Sequence, residues 1–189
     1  MGPGMHLSKI NPKSDFLSAT MHHSGSNTLR AILGGRATKI HVGYKTPHMT
    51  AHLGSRDWED VKVISEKVRT VTSLRHPARI ILSHLQRQSH ENRTREDCGA
   101  MFWRQWQRMG QLKAFRFPIE VMPFDALEAF MGQPVVHTTS VHRSIGEYPE
   151  KHDMRLAKAY LGRLWAYVEM ALETPDGQIY NSEDFHADY

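Results

Sequence analysis

A single cysteine, Cys98, stands in the 189 residues of this chain, so no disulfide can form within it. A lone thiol suits a reducing compartment, and a cytoplasmic setting is expected. No apolar run approaches the roughly 20 residues that a helical membrane crossing needs, and no secretory signal is legible. The mean hydropathy of −0.53 agrees with that absence. Internal repeats, low-complexity tracts and long Lys or Arg blocks are missing too. Basic residues do not interleave with aromatics as in an RNA-binding sheet. Neither membrane nor nucleic acid is therefore expected as a partner. The net charge of +4 suits an anionic ligand or nucleic acid, and it serves solubility equally well. Asn92-Arg93-Thr94 matches a glycosylation sequon, and with no secretion expected a chance match is the expected reading.

What remains is ordinary globular composition, 40% hydrophobic and 23% charged, in a chain long enough for one sizeable core. Residues 1–5 read as an expression remnant that ends on a native Met5, and 6–189 as one domain. Short apolar runs alternate with helical stripes. Strands are expected at Asp15–Met21, Thr38–Tyr44, Val68–Leu74, Ile119–Met122 and Pro134–His137. Helices are expected from Ser26 to Gly34-Gly35, over Ala78–Gln88, Asp97–Phe115 and Asp125–Met131, and over Asp153–Glu173. The loop Lys45–His52 follows the second strand, and Asp57–Glu66 fits either a helix or a strand. This alternation predicts an α/β fold with a mainly parallel sheet.

One segment carries most of the functional information. The apolar run Phe16-Leu17-Ser18-Ala19-Thr20-Met21 leads into His22-His23-Ser24-Gly25-Ser26-Asn27-Thr28 and then into the helical pattern of Leu29, Ile32 and Leu33. A strand, a tight loop and a helix start make an anion cradle, because unpaired N–H groups converge there and the helix dipole adds positive charge. Hydroxyls at Ser24, Ser26 and Thr28 can donate to the anion. The Lys of G-x-x-x-x-G-K-[ST] is missing, so this is not a Walker A loop. The plainer alternative is an ordinary loop capped by Ser or Asn.

A second segment adds weight. In Leu74-Arg75-His76-Pro77-Ala78-Arg79-Ile80-Ile81-Leu82-Ser83 a strand ends in Arg75, Pro77 opens a helix, and Ser83 stands eight positions after Arg75. An Arg fork and a hydroxyl at that spacing can share one phosphate. Together the two segments resemble the sulfotransferase family. Its first signature, a Pro-Lys-Ser-Gly-Thr-Thr-type loop, holds the 5′-phosphosulfate; His23-Ser24-Gly25-Ser26-Asn27-Thr28 takes that place. Its second is an Arg-Asp/Asn-Pro-type turn with a Ser eight residues on, which binds the 3′-phosphate as Arg75 and Ser83 would. Tyr44-Lys45-Thr46-Pro47-His48 resembles the Lys-Thr-His segment whose His is the catalytic base. Val141–Tyr148 resembles the late region that closes over the nucleotide, which assigns Arg143, Ser144, Ile145 and Gly146 to it.

The resemblance implies a P-loop-like, three-layer α/β/α fold. It also implies sulfuryl transfer from 3′-phosphoadenosine-5′-phosphosulfate, released as 3′-phosphoadenosine 5′-phosphate, to a hydroxyl or amine. A small molecule or carbohydrate is the acceptor it implies, with no metal. Such a transfer is an in-line displacement in which the protein positions groups and stabilises charge. His48 would take the acceptor proton. One departure stands out: His23 replaces the usual loop Lys, and either a protonated His23 or Lys45 would supply the cation. His48 and His52 also have the i, i+4 spacing of a zinc pair, but the Glu of H-E-x-x-H is absent. Three other readings stay open: a nucleotide or small-molecule kinase with a variant phosphate loop, a non-catalytic nucleotide-binding protein, and a nucleic-acid binder using its basic charge.

Overall fold

The computed structural model of the chain describes residues 10–34, 38–39, 48–54, 56, 58–88, 92–138 and 153–182. Two compact units form. One takes the described residues of Met1–Leu74 and Gln111–His142, the other those of Arg75–Gly110 and Arg143–Tyr189.

The first unit is built on a parallel sheet. Strand β1 (Phe16–Thr20) is buried along its whole length, as a central strand covered on both faces must be. It pairs with β3 (His48–His52) on one side and β4 (Arg69–Leu74) on the other. β2 (Thr38–Lys39) and β5 (Phe115–Pro118) extend the sheet to the order β2-β3-β1-β4-β5, every pair parallel. Helix α1 (Ser26–Ile32) follows β1 as the chain crosses towards β2, and α2 (Trp58–Ser65) carries it from β3 past β1 to β4. Crossovers of one hand running in opposite directions put these helices on opposite faces. Phe16, Val71 and Phe117 of the strands bury against Leu29 and Ile32 of α1 and Leu127 and Met131 of α5 (Phe124–Met131). The neighbouring side chains Leu17, Ala19 and Met49 point the other way and are fully buried, and α2 packs on β1.

The second unit holds α3 (Pro77–Arg87), α4 (Arg95–Gly110), α6 (Met154–Leu161) and α7 (Trp165–Glu173). α3 is capped by His76, whose Nδ1 accepts from the Ala78 N–H at 3.2 Å, with Pro77 in its first turn. Trp106 of α4 donates its indole N–H to Thr174 Oγ1 at 2.9 Å, beyond the end of α7.

Several expectations shift. Trp58–Ser65 resolves to a helix, as its apolar spacing allows. His48–His52, expected as loop, is strand β3. β5 ends where a strand was expected to begin. Residues from Ile119 turn away, and the Ile119 N–H bonds the Leu74 carbonyl at 2.8 Å as a last rung. No strand forms over Pro134–His137. α4 starts at Arg95 because Thr94 and Asp97 cap one another: the Thr94 N–H bonds Asp97 Oδ2 and the Asp97 N–H bonds Thr94 Oγ1. The expected last helix is cut in two at Gly162, whose φ of 53° leaves the helical region. The latter part of the second expected strand, residues 40–44, lies outside the described residues. No helix among the described residues is long and apolar enough to cross a membrane.

Candidate functional site

The carboxyl ends of β1 and β4 lie side by side, and their connections leave in opposite directions, towards β2 and β5. Such a reversal of strand order opens the crevice where parallel α/β sheets take their ligands. The loop His22–Gly25 leaves the sheet at that point. Two of its residues are left-handed, His23 at φ 63° and Gly25 at φ 91°, and backbone of this kind curls its N–H groups into concavities. Gly25 is required twice. Its φ disfavours any side chain, and a Cβ there would meet Ile119 Cγ1 at 2.6 Å.

Ser24 does something the sequence does not show. It is fully buried, and its hydroxyl donates to the Met21 carbonyl at 2.8 Å. Its Oγ also lies 2.6 Å from Ser73 Oγ. A hydroxyl has one proton, and the carbonyl can only accept, so Ser73 donates to Ser24. This chain ties the loop to the end of β4. The Ser24 hydroxyl, expected as an anion donor, is thus engaged inside the protein, where it holds the loop's shape.

The donors that remain belong to the start of α1. Ser26 and Thr28 are half-buried and Asn27 is exposed. The first N–H groups of a helix have no carbonyl within it to meet, and the first α1 bond runs from the Leu29 N–H to the Gly25 carbonyl. His23 is half-buried beside His22, their ring centroids 6.3 Å apart.

His48, expected beside the loop, is placed elsewhere on the sheet. It pairs with Phe16, at the amino-terminal end of β1. The loop leaves β1 four residues further on, about 13 Å along the strand at ~3.3 Å per residue. The residue at the right end is His52, which pairs with Thr20. Its ring stacks on that of His22, centroids 4.5 Å apart and planes within 3°. The Leu53 N–H holds the chain there by bonding the Thr20 carbonyl at 2.9 Å.

Arg75 follows β4 directly and is half-buried; Ser83, also half-buried, lies within α3 in the same unit as Arg75. Lys45, Arg143, Ser144, Ile145 and Gly146 lie outside the described residues. Among the described residues no group of three or more His, Cys, Asp or Glu could hold a metal ion. No family model matches the chain, and neither a curated protein nor a solved structure does.

Proposed function

We propose that this chain is a sulfotransferase of P-loop-like fold that moves a sulfuryl group from 3′-phosphoadenosine-5′-phosphosulfate to a hydroxyl or amine. The observation that carries the reading is the loop His22–Gly25, set at the carboxyl end of the central strand where the order β2-β3-β1-β4-β5 reverses. The loop's N–H groups, the hydroxyls of Ser26 and Thr28 and the His23 imidazole are a donor set for a phosphosulfate. Arg75 and Ser83 take the 3′-phosphate on the strength of the motif they match. His52, steadied by the ring of His22, accepts the proton in place of His48. The acceptor oxygen or nitrogen attacks sulfur as its proton passes to the imidazole. The bond from sulfur to the bridging oxygen breaks, and 3′-phosphoadenosine 5′-phosphate leaves.

Calorimetry with the full chain tests the donor half of the reading. 3′-Phosphoadenosine 5′-phosphate is expected to bind more tightly than adenosine 5′-phosphate. Arg75→Ala is expected to weaken the former about ten- to a hundredfold, the worth of one charge-assisted bond, and to leave the latter nearly unchanged. Equal losses for the two nucleotides overturn the assignment of Arg75. Tighter binding of ATP with Mg²⁺ favours the kinase reading.

A further inference from the structure

Far from the loop in sequence, the first turn of α4 faces the bend between α6 and α7 across a concavity of about 680 Å³. Pockets that take small organic molecules have this size. Its apolar wall is formed by Leu161, Leu164, Tyr167 and Met170, and its polar edge by Arg95, Glu96 and Arg163. The shape is built in. Gly162 breaks the helix and opens the bend. Gly99 lets α7 come close, since a Cβ there would meet Tyr167 Cε2 at 2.5 Å. Arg95 is fixed by two bonds from Nη2, to the Tyr160 carbonyl at 2.7 Å and the Leu161 carbonyl at 3.5 Å. Its guanidinium also lies 5.2 Å from the Tyr160 ring centroid. Nη1 and Nε take no part in those two bonds.

The charge at the edge has a definite sign. Two guanidinium groups stand against the one carboxylate of Glu96. Arg95 and Glu96 are also the first two residues of a 16-residue helix, where N–H groups lack helical partners and the dipole is positive. The Thr94–Asp97 capping box engages the N–H groups of those two residues only. We propose that this concavity binds an amphipathic monoanion, a carboxylate or sulfonate carried on an aryl ring or a medium-length alkyl chain. The apolar body lies on Leu161, Leu164, Tyr167 and Met170, and the head meets Arg95, Arg163 and the start of α4. Glu96 disfavours a polyanion. The inference stands apart from the sulfotransferase reading.

Decanoate, titrated calorimetrically into the full chain below its micelle concentration, tests it, with decyltrimethylammonium as the cation of matching tail. Arg163 and Met170 are exposed, so Arg163→Glu and Met170→Glu should fold, as circular dichroism will verify. Decanoate is expected to saturate one site, and the cation to bind at least about tenfold more weakly. Each substitution is expected to weaken decanoate by about tenfold or more, the effect of about 1.4 kcal/mol. His137→Ala, in the other unit, should change nothing. Absent saturation, equal binding of the two probes, or indifference to both substitutions overturns the proposal. So does sedimentation showing that the free chain self-associates and that Arg163→Glu separates it, because the occupant is then a second copy.

Discussion

At the scale of single residues, the strongest consequences concern two serines and two histidines. Ser73 donates to Ser24 and Ser24 to the Met21 carbonyl, all within the buried end of the sheet. Removing the Ser24 hydroxyl takes the buried acceptor from Ser73, at about 1–3 kcal/mol, whereas removing that of Ser73 loses one neutral bond, about 0.5–1.5 kcal/mol, and leaves Ser24 on the Met21 carbonyl. Ser24→Ala and Ser73→Ala are each expected to lower the urea midpoint without ligand present. Their double variant should lose less than the sum, because both cut one chain of bonds. Additive losses would show that the hydroxyls act separately. For the histidines the expected contrast is kinetic. With an identified acceptor, His52→Ala should lower turnover by about 10²–10⁴, the usual worth of a positioned base, while leaving donor affinity within a few fold. The wild-type rate should rise as imidazole loses its proton with increasing pH. His48→Ala should leave turnover near wild type, because His48 sits at the other end of β3. The opposite ranking would return the base role to His48.

At the scale of elements, α4 offers a test independent of function. Hydrogen bonds from the Thr94 backbone and hydroxyl region hold the Asp97 carboxyl below its ordinary value, with a smaller contribution from Arg93. A lowered folded-state pKa means that the capping contribution is present above the unfolded value of 3.8. It is lost as pH falls through the folded value. Asp97→Asn should therefore destabilise near neutral pH, and the gap from wild type should narrow as the pH falls below 3.8 and through the lowered folded-state value. A gap that persists at low pH would mean that charge is irrelevant to this cap. Thr94 and Asp97 are legible in sequence as a capping pair, yet the apolar stripe starting at Met101 draws attention further along. The break at Gly162 is harder to read, because Leu156, Ala159, Leu164 and Val168 continue a helical pattern through it and a lone glycine is tolerated inside helices.

At the scale of the whole molecule, any ligand that binds only the folded chain stabilises it by RT ln(1 + [L]/Kd), about 2.7 kcal/mol at a hundredfold excess over Kd. A thermal-shift series should show this rise with 3′-phosphoadenosine 5′-phosphate and much less with ATP plus Mg²⁺ or an oligonucleotide. A rise with the oligonucleotide alone would contradict the proposed site. Every sheet pair is parallel, so each needs a crossover and none a hairpin. Local patterns can therefore identify the strands but carry little information about which strands are neighbours.

That division marks what the sequence determined by itself. The β-branched and apolar runs at Phe16–Thr20 and Val68–Leu74, each followed by a helical stripe, were sufficient for an α/β chain with a parallel sheet and for a Gly-containing loop after its first strand. Backbone periodicity and turn chemistry are local, and they survive without neighbours. Tertiary structure alone decided the order β2-β3-β1-β4-β5, the burial of Ser24 against Ser73 across 49 positions of sequence, and the choice of His52 over His48 at the loop's end of the sheet. These are matters of register and long-range packing. A strand's own residues specify which face each side chain takes, but its pairing specifies which end of the sheet each residue reaches.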